Sequence, residues 1–590
     1  MSKASSVTTI QYHGAADASV AGPIGMRHDG NVAPISVLIL AVIALALSLP
    51  MIVLGPMPAG HDTIQNMNFG KYFAEQFWQG ELYPRWLLNM NHGLGSPTLF
   101  VYPPFPSYVY ALLLPEANAF HVNALGASGY LCLLTSGLSA FLWMSTLARE
   151  RISMIVAGIY MLLPYHLDVD LYRRCALAEC WALAWMPLVF YFTVQVVKNK
   201  RYAMVGLSAA YALLIVSHLI SILLFSALPL LLAWTLSERG QKMRAILMVS
   251  CGLALGTTIS AAYLFPALAS ARYFPVDRLG YLTDFSLKTN LLAFGKGLLT
   301  GNSMKTGFVQ AVSLCTLNTA LFIATCGLMA LRNDSRDRRR QTLLWLAVCI
   351  IPLFLMSSSS LRIWKALPVL AGAVQFPWRL NIILCVAVLP LAAFFLSDMP
   401  QLSSSKWNSL AVIALFAATW LVGYGATVKR YALPAYSEKP VNEADGWFDA
   451  WKPHGMNEAS ALQASMESPA RLLAGQGTVT VLRWSPRHID LQTDCIACGP
   501  MIVNQFYYPD WTAKLASGGQ PLSVGPALPE GLLEVTVPPG HQQVRLEIPR
   551  GVAERVGDWV SFLSGLTGAT LCVLSFTRSR SRRLPGAAHD

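Results

Sequence analysis

The chain reads as a polytopic α-helical membrane protein of about twelve transmembrane helices with a C-terminal extracytoplasmic β-rich domain. Three observations carry this. Hydrophobic residues make up 54% of the 590 and charged residues 13%, against about 25% charged in soluble domains. Mean hydropathy is +0.46, and apolar runs repeatedly approach the ~20 residues needed to cross the hydrocarbon core. One long stretch, 428–556, is instead polar and alternating. The net charge of +12 would suggest nucleic acid in a soluble chain. Here the basic residues sit in short loops between apolar runs and act as topology signals, so no nucleic-acid partner is expected.

Residues 1–34 are polar and rich in Gly and Ala, without a compact apolar core or a cleavage site. They read as a disordered cytoplasmic leader. A transmembrane module follows over 35–427. Spans are expected at 35–55, 124–147, 152–167, 177–197, 203–217, 219–236, 245–266, 308–331, 341–357, 380–397 and 408–427, with a last one at 557–576. Basic residues mark every second connector: Arg149 and Arg151, Lys198 to Arg201, Arg239 to Arg244, Arg332 to Arg340, and the tail 577–590. Placed in the cytoplasm, they put both termini inside. The outer connectors are then 56–123, 168–176, 267–307, 358–379 and 428–556. The run Tyr108 to Leu114 is apolar but short. Counting it as a span would invert every later loop, so it reads as an interfacial or re-entrant helix.

In 428–556, Thr478 to Leu482 and Leu533 to Val537 alternate, and Pro538-Pro539-Gly540 turns into Gln543 to Ile548. This strand–turn–strand grammar predicts a small β-sandwich-like domain. Most of the eleven cysteines lie in apolar spans and read as packing residues. Cys495 and Cys498 lie in the outer domain and are most simply a local disulfide. A redox pair lacks its βαβ surroundings, and a zinc site lacks a second ligand pair.

Charges in apolar surroundings mark the candidate chemistry. Asp62, in Gly60-His61-Asp62, follows the first span at once, and a carboxylate there is costly unless used or paired. It reads as a general base or metal ligand for an acceptor hydroxyl, or as the N-cap of a helix starting at Thr63. The second cluster holds Asp168, Asp170, Tyr172, Arg173, Arg174 and Glu179 in a short outer connector. The arginine forks match phosphate oxygens, and the carboxylates suit a shared divalent cation; an internal ion-pair network is the structural alternative. The third is Gln375-Phe376-Pro377-Trp378-Arg379, where Arg379 either binds phosphate or snorkels. His218 reads as a packing residue. The long basic loop 267–307, with Arg272, reads as a lid over a lipid phosphate. No P-loop, HExxH, GxSxG or dinucleotide fingerprint is present, which disfavours ATP hydrolysis and serine-hydrolase chemistry.

The ordered set Gly60-His61-Asp62, Leu82-Tyr83-Pro84-Arg85-Trp86, Gly93-Leu94-Gly95-Ser96-Pro97, Tyr102-Pro103-Pro104, Asp170-Leu171-Tyr172-Arg173-Arg174, Gln375 to Arg379 and Phe506-Tyr507-Tyr508-Pro509-Asp510-Trp511 resembles the bacterial YfhO-type membrane proteins. It is also similar to a set labelled 6-pyruvoyl-tetrahydropterin synthase-related, although nothing here looks like a soluble pterin enzyme. The resemblance runs from about 35 to 575 and implies a fold like that of the GT-C glycosyltransferase superfamily. It implies transfer of a sugar from a polyprenyl-phosphate donor to an envelope glycan, lipid or protein, at the outer face of the bacterial inner membrane. It further implies an essential acid matched by Asp62 and a second matched loosely by Asp168 or Asp170. Here that pair is split by Val169 and followed by two arginines. Under this reading Asp62, Asp168, Asp170 and Glu179 are the catalytic candidates. Arg173, Arg174, Arg272 and Arg379 bind phosphate. His61, Tyr102, Tyr172, Gln375 and Trp378 line the pocket. A cation (Mg or Mn), if used, falls to Asp62 and Asp170. The competing classes are a transporter or flippase of lipid-linked glycans and a non-catalytic assembly scaffold.

Overall fold

The structure is a computed structural model that describes residues 34–56, 60–274, 289–292, 304–399, 452–473, 477–496 and 498–581. Among these, ten helices are long and apolar enough to span a membrane. The span expected at 203–217 is the shorter apolar helix Ala203–Ser217. The span expected at 408–427, the leader, most of the loop 267–307 and the end of the basic tail lie outside the described residues.

The first helix, α1 (Pro34–Leu54), buries Ser36, Leu40, Ala44, Leu47, Ser48 and Met51 on one stripe, the spacing of a helix face. That stripe packs on α4 (Ala124–Met144). The contact is close because Gly126 lies against the chain at Met51, where a Cβ would stand 2.3 Å from the Met51 carbonyl oxygen. Between them come α2 (Thr63–Trp78) and α3 (Phe105–Ala119). At 15 residues, α3 is too short to span and packs on α2 and α4, as the loop charges required.

After α5 (Glu150–Leu162) the chain departs from expectation. The expected outer connector 168–176 is largely a π-helix, Tyr165–Arg174, which prolongs the α5 span. Its polar residues suggested a loop, but they are buried and paired with each other. Next come α6 (Leu177–Val197), α7 (Ala203–Ser217), α8 (Leu219–Phe225), α9 (Ala227–Leu236), α10 (Lys242–Ile259) and α11 (Ala261–Ser270). Then follow α12 (Met304–Ala330), α13 (Arg336–Met356), the short α14 (Leu361–Ala366) and α15 (Pro368–Val374), and α16 (Asn381–Asp398). The span Pro377–Asp398 is the core of the bundle, 89% buried, whereas the terminal span Val552–Ser575 is 11% buried and lies at the rim.

After α17 (Glu458–Ser465), the described residues form nine strands, β1 (Ala470–Leu472), β2 (Gly477–Ser485), β3 (His488–Cys495), β4 (Pro500–Phe506), β5 (Thr512–Leu515), β6 (Pro521–Leu522), β7 (Val524–Ala527), β8 (Leu532–Thr536) and β9 (Gly540–Glu547). They make two antiparallel sheets, ordered β1-β4-β8-β7 and β2-β3-β9-β5-β6. In the second, β3 (His488–Cys495) pairs with β9 (Gly540–Glu547), with Leu491 opposite Val544. Ile489, Leu491, Val544 and Leu546 meet Met501, Val503, Leu533 and Val535 of the first sheet in one core. Cys495 and Cys498 are joined by a disulfide. The core extends into the first connector through Trp86, Leu88, Leu94 and Phe100. The first connector and the β-domain therefore share one end of the bundle. The last helix, α18 (Val552–Ser581), follows and packs on α11.

Candidate functional site

The site gathers where α2 begins, the π-helix ends and α6 begins. At the N-cap of α2, the Asp62 side chain makes no capping hydrogen bond, so the helix cap foreseen as one role is not what its carboxylate does. The backbone fixes it instead. Asp62 N–H donates to the Arg174 carbonyl (2.8 Å). Asn66 donates from its side chain to the carbonyls of Asp62 (2.9 Å) and Cys175 (2.8 Å). Cys175, left-handed at φ 55°, closes the π-helix. The carboxylate is thus free to face Arg174, at 3.4 Å from Nη2.

Arg174 is the hub. Its Nη1 donates to Asp170 Oδ1 (2.6 Å) and Glu179 Oε2 (2.8 Å), and its guanidinium lies over the Trp378 ring at 4.9 Å. Glu179 also accepts from Tyr165 Oη (2.7 Å) and stands 3.6 Å from Arg379 Nε. Three carboxylates and two guanidinia therefore form one connected group. Asp170, Arg174 and Glu179 are at most 4% exposed, whereas the Asp62 side chain is 31% exposed. Asp62 is the acid of the group that opens outward. Asp170 Oδ2 and Arg379 Nε are buried without a hydrogen-bond partner among the described residues.

The π-helix sets a second ion pair beside this group. Residues five apart diverge by about 140° around an α-helix, but the wider i→i+5 turn brings them together. Arg173 Nε donates to Asp168 Oδ2 (2.7 Å) five residues away, while Arg174 pairs with Asp170 four residues away. The two pairs are separate, and Asp168 and Arg173 do not join the Arg174 group through this contact.

Arg379 is aimed by a tight turn. Gln375 sits at φ 63°, ψ −51°, and Phe376 N–H donates back to the Val374 carbonyl (2.7 Å), a γ-turn of the strained, positive-φ kind. The turn presents Gln375 Oε1 (2.7 Å) and the Val374 carbonyl (3.2 Å) to Arg379 Nη1. The arginine is buried, so it does not snorkel.

Aromatic rings wall the open side. His61 packs on Phe308 (4.3 Å between centroids), Phe308 on Trp378 (5.4 Å), and Trp378 stacks on Phe376 (4.9 Å). Desolvation lowers the His61 pKa; Asp62 opposes the shift and Arg174 adds to it. Tyr102 packs on Phe69. Desolvation raises its hydroxyl, reinforced by the Asp62 charge and opposed by Arg174 and Arg379. Two expected members lie elsewhere. Tyr172 is buried and donates to the Leu47 carbonyl, bracing α1. Arg272 is on the surface and donates to Tyr273, which reaches Asp510 of the β-domain. Sequence reasoning missed Asn66, Tyr165 and Phe308. Only Asn66, four residues after Asp62 on the same helix face, carried a signal.

A divalent cation does not fit this donor set. A hard cation such as Mg takes about six oxygens at about 2.0–2.1 Å. Here Asp170 Oδ1 and Glu179 Oε2 both accept from one guanidinium nitrogen, and that guanidinium separates Asp62 from Asp170. Among the described residues no three His, Cys, Asp or Glu side chains are gathered as ligands.

No family model matches the chain, and no curated protein matches it. Among solved structures, the mycobacterial arabinofuranosyltransferase AftD is similar at TM-score 0.39 and 14% identity, over 68% of this chain and 27% of that one. A mutant form of AftD gives 0.37 and 15%, over 66% and 28%. ArnT from Cupriavidus metallidurans in the apo state gives 0.29 and 15%, over 61% and 76%. The chain thus spans about a quarter of AftD's length. At these scores the likeness carries no weight for fold or activity.

Proposed function

We propose that this chain is a membrane glycosyltransferase that moves a sugar from a polyprenyl-phosphate donor to a cell-envelope glycan, lipid or protein on the outer face of the inner membrane. The observation that carries the reading is one outward-facing carboxylate, Asp62, beside the buried Arg174 guanidinium, which Glu179 links to a second, Arg379. Acceptor activation needs a base within hydrogen-bond reach of a hydroxyl, and a phosphate leaving group needs fixed positive charge where its negative charge develops.

In this reading Asp62 takes the acceptor hydroxyl proton as the oxygen attacks the sugar's anomeric carbon. The carbon–oxygen bond to phosphate breaks, its electron pair stays on the phosphate oxygen, and configuration inverts. Arg379 and Arg174 hold the departing phosphate. Asp170 and Glu179 are positioning residues that fix both guanidinia. Gln375 fixes Arg379, and the His61, Phe308 and Trp378 rings shape the opening. No step passes through a metal.

The test is reconstitution in vesicles with a labelled polyprenyl-phosphate sugar. Release of polyprenyl phosphate with labelled product by wild type, and not by Asp62→Asn, supports the transferase. Passage of intact donor across the bilayer without cleavage contradicts it and favours a carrier.

A further inference from the structure

We infer that a cavity between the first connector and the ends of α7 and α10 is the site of one anionic phospholipid of the bilayer, with a hydrocarbon chain in the cavity and the headgroup phosphate on Arg85. The cavity measures about 190 Å³ and is lined by Tyr83, Phe105, Tyr108, Val216, Ile259 and Tyr263 among others. An apolar cavity of about 150 Å³ is enough to stay dry and take up benzene, so this one has room for a stretch of hydrocarbon chain. It lies at the rim of the bundle. The span that ends at Ile259, Lys242–Ile259, is 22% buried, and a rim helix that crosses a bilayer meets lipid.

The charge beside the cavity selects the head. Arg85 is 4% exposed, and its guanidinium lies over the Tyr83 ring at 4.1 Å. Nη2 donates to the carbonyl of Ala262 (2.8 Å), a residue that also lines the cavity. Nε faces Glu554 at 3.1 Å. Nη1 is buried and has no hydrogen-bond partner among the described residues, and neither has the Tyr83 hydroxyl. A buried donor left open is costly, and more so on a charged group. Glu554 does not settle the charge alone, because Arg487 already holds both its oxygens at 2.9 Å. Glu81 adds its charge at Arg487, which leaves Arg85 as the guanidinium with an open donor. Phosphate oxygens match such a donor, and a basic pocket between spans suits an anionic lipid head. The Tyr83 ring touches both the cavity and the guanidinium. The head reaches Nη1 as this half-buried ring turns, and the tyrosine hydroxyl gives the phosphate a second donor.

This holds whether or not the chain transfers sugar, because the readout is binding. Purified full-length protein in detergent is titrated with dioctanoyl phosphatidylglycerol, and retained lipid is counted by native mass spectrometry. Phosphatidylcholine with the same chains is the comparison. Wild type is expected to hold one phosphatidylglycerol about tenfold more tightly than phosphatidylcholine, the worth of one charge-assisted contact. Arg85→Gln should erase that preference. Val216→Phe, which adds a ring to the cavity wall, should weaken phosphatidylglycerol by about tenfold, the worth of the chain's lost place. Arg379→Ala, at the candidate site, should leave this binding as in wild type. Equal affinity for the two lipids in wild type would overturn the inference, as would an unchanged preference in folded Arg85→Gln or unchanged binding in folded Val216→Phe. Displacement by glycerol phosphate, which has the head without the chains, would also overturn it, as would loss of the lipid through Arg379→Ala. If a variant does not fold, wild type decides: a preference for phosphatidylglycerol that glycerol phosphate does not displace supports the inference, and its absence overturns it.

Discussion

Asp62 makes no capping hydrogen bond and is partly open, so its carboxylate adds little to the fold. Asp62→Asn is expected to shift stability by no more than about 0.5 kcal/mol while lowering kcat by about 10²–10⁴, as judged by thermal unfolding beside turnover. Glu179 is the opposite case. It is buried between two guanidinia and a tyrosine hydroxyl, so Glu179→Gln leaves positive charge without its counterion. A loss of about 3–5 kcal/mol is expected, read as a fall in unfolding midpoint, whereas an unchanged midpoint would mean the network does not hold the bundle together. These acids and arginines were legible in the sequence because charge inside apolar runs stands out. Their pairing was not. Asp168 and Asp170 look equivalent on the page, and only the helix type sends one to Arg173 and the other to Arg174.

At the scale of elements, the π-helix is what sequence periodicity missed. Its five-residue pair, Asp168 with Arg173, has no apolar repeat to announce it, and its polar content looked like a connector. The spans at 124–147 and 177–197, by contrast, were legible from length and hydropathy, as were the strands around 478–482 and 543–548 from alternation. The β3–β9 pair carries a pH prediction. Burial pushes the Asp490 carboxyl up, but hydrogen bonds from Arg545 and His488 outweigh it and hold the pKa below the ordinary value. The contribution of Asp490 is therefore complete above about pH 4 and disappears as pH falls through the lowered folded-state pKa. Hydrogen exchange on the full chain should show β3 and β9 losing protection as pH falls below that value. Asp490→Asn should remove that dependence.

Across the whole molecule, the β-domain is bolted to the connector that carries Asp62. Trp86 Nε1 donates to Gln505 Oε1 (2.8 Å), and Gln505 donates back to the Gly93 carbonyl (2.6 Å). Beneath them Glu554 is shared between Arg487, which grips both its oxygens at 2.9 Å, and Arg85 at 3.1 Å. Strands, first connector and last helix meet at this one carboxylate. Glu554→Gln should cost about 3–5 kcal/mol and raise protease sensitivity of the β-domain and of residues 86–100 together. Loosening of one without the other would mean they are not one unit. None of this long-range docking was legible in the sequence, since Arg85 lies hundreds of residues from Arg487 and Glu554 and no local pattern links the three.

In the proposed transferase the guanidinia hold phosphate and Asp62 acts on the acceptor. Binding of sugar-free polyprenyl phosphate to the reconstituted protein tests it most directly. Arg379→Ala should weaken that binding by about 10–100-fold, the worth of one charge-assisted contact, and Asp62→Asn should leave it unchanged or tighter. Equal weakening by both variants, or none by Arg379→Ala, would mean that the two roles are not divided in this way.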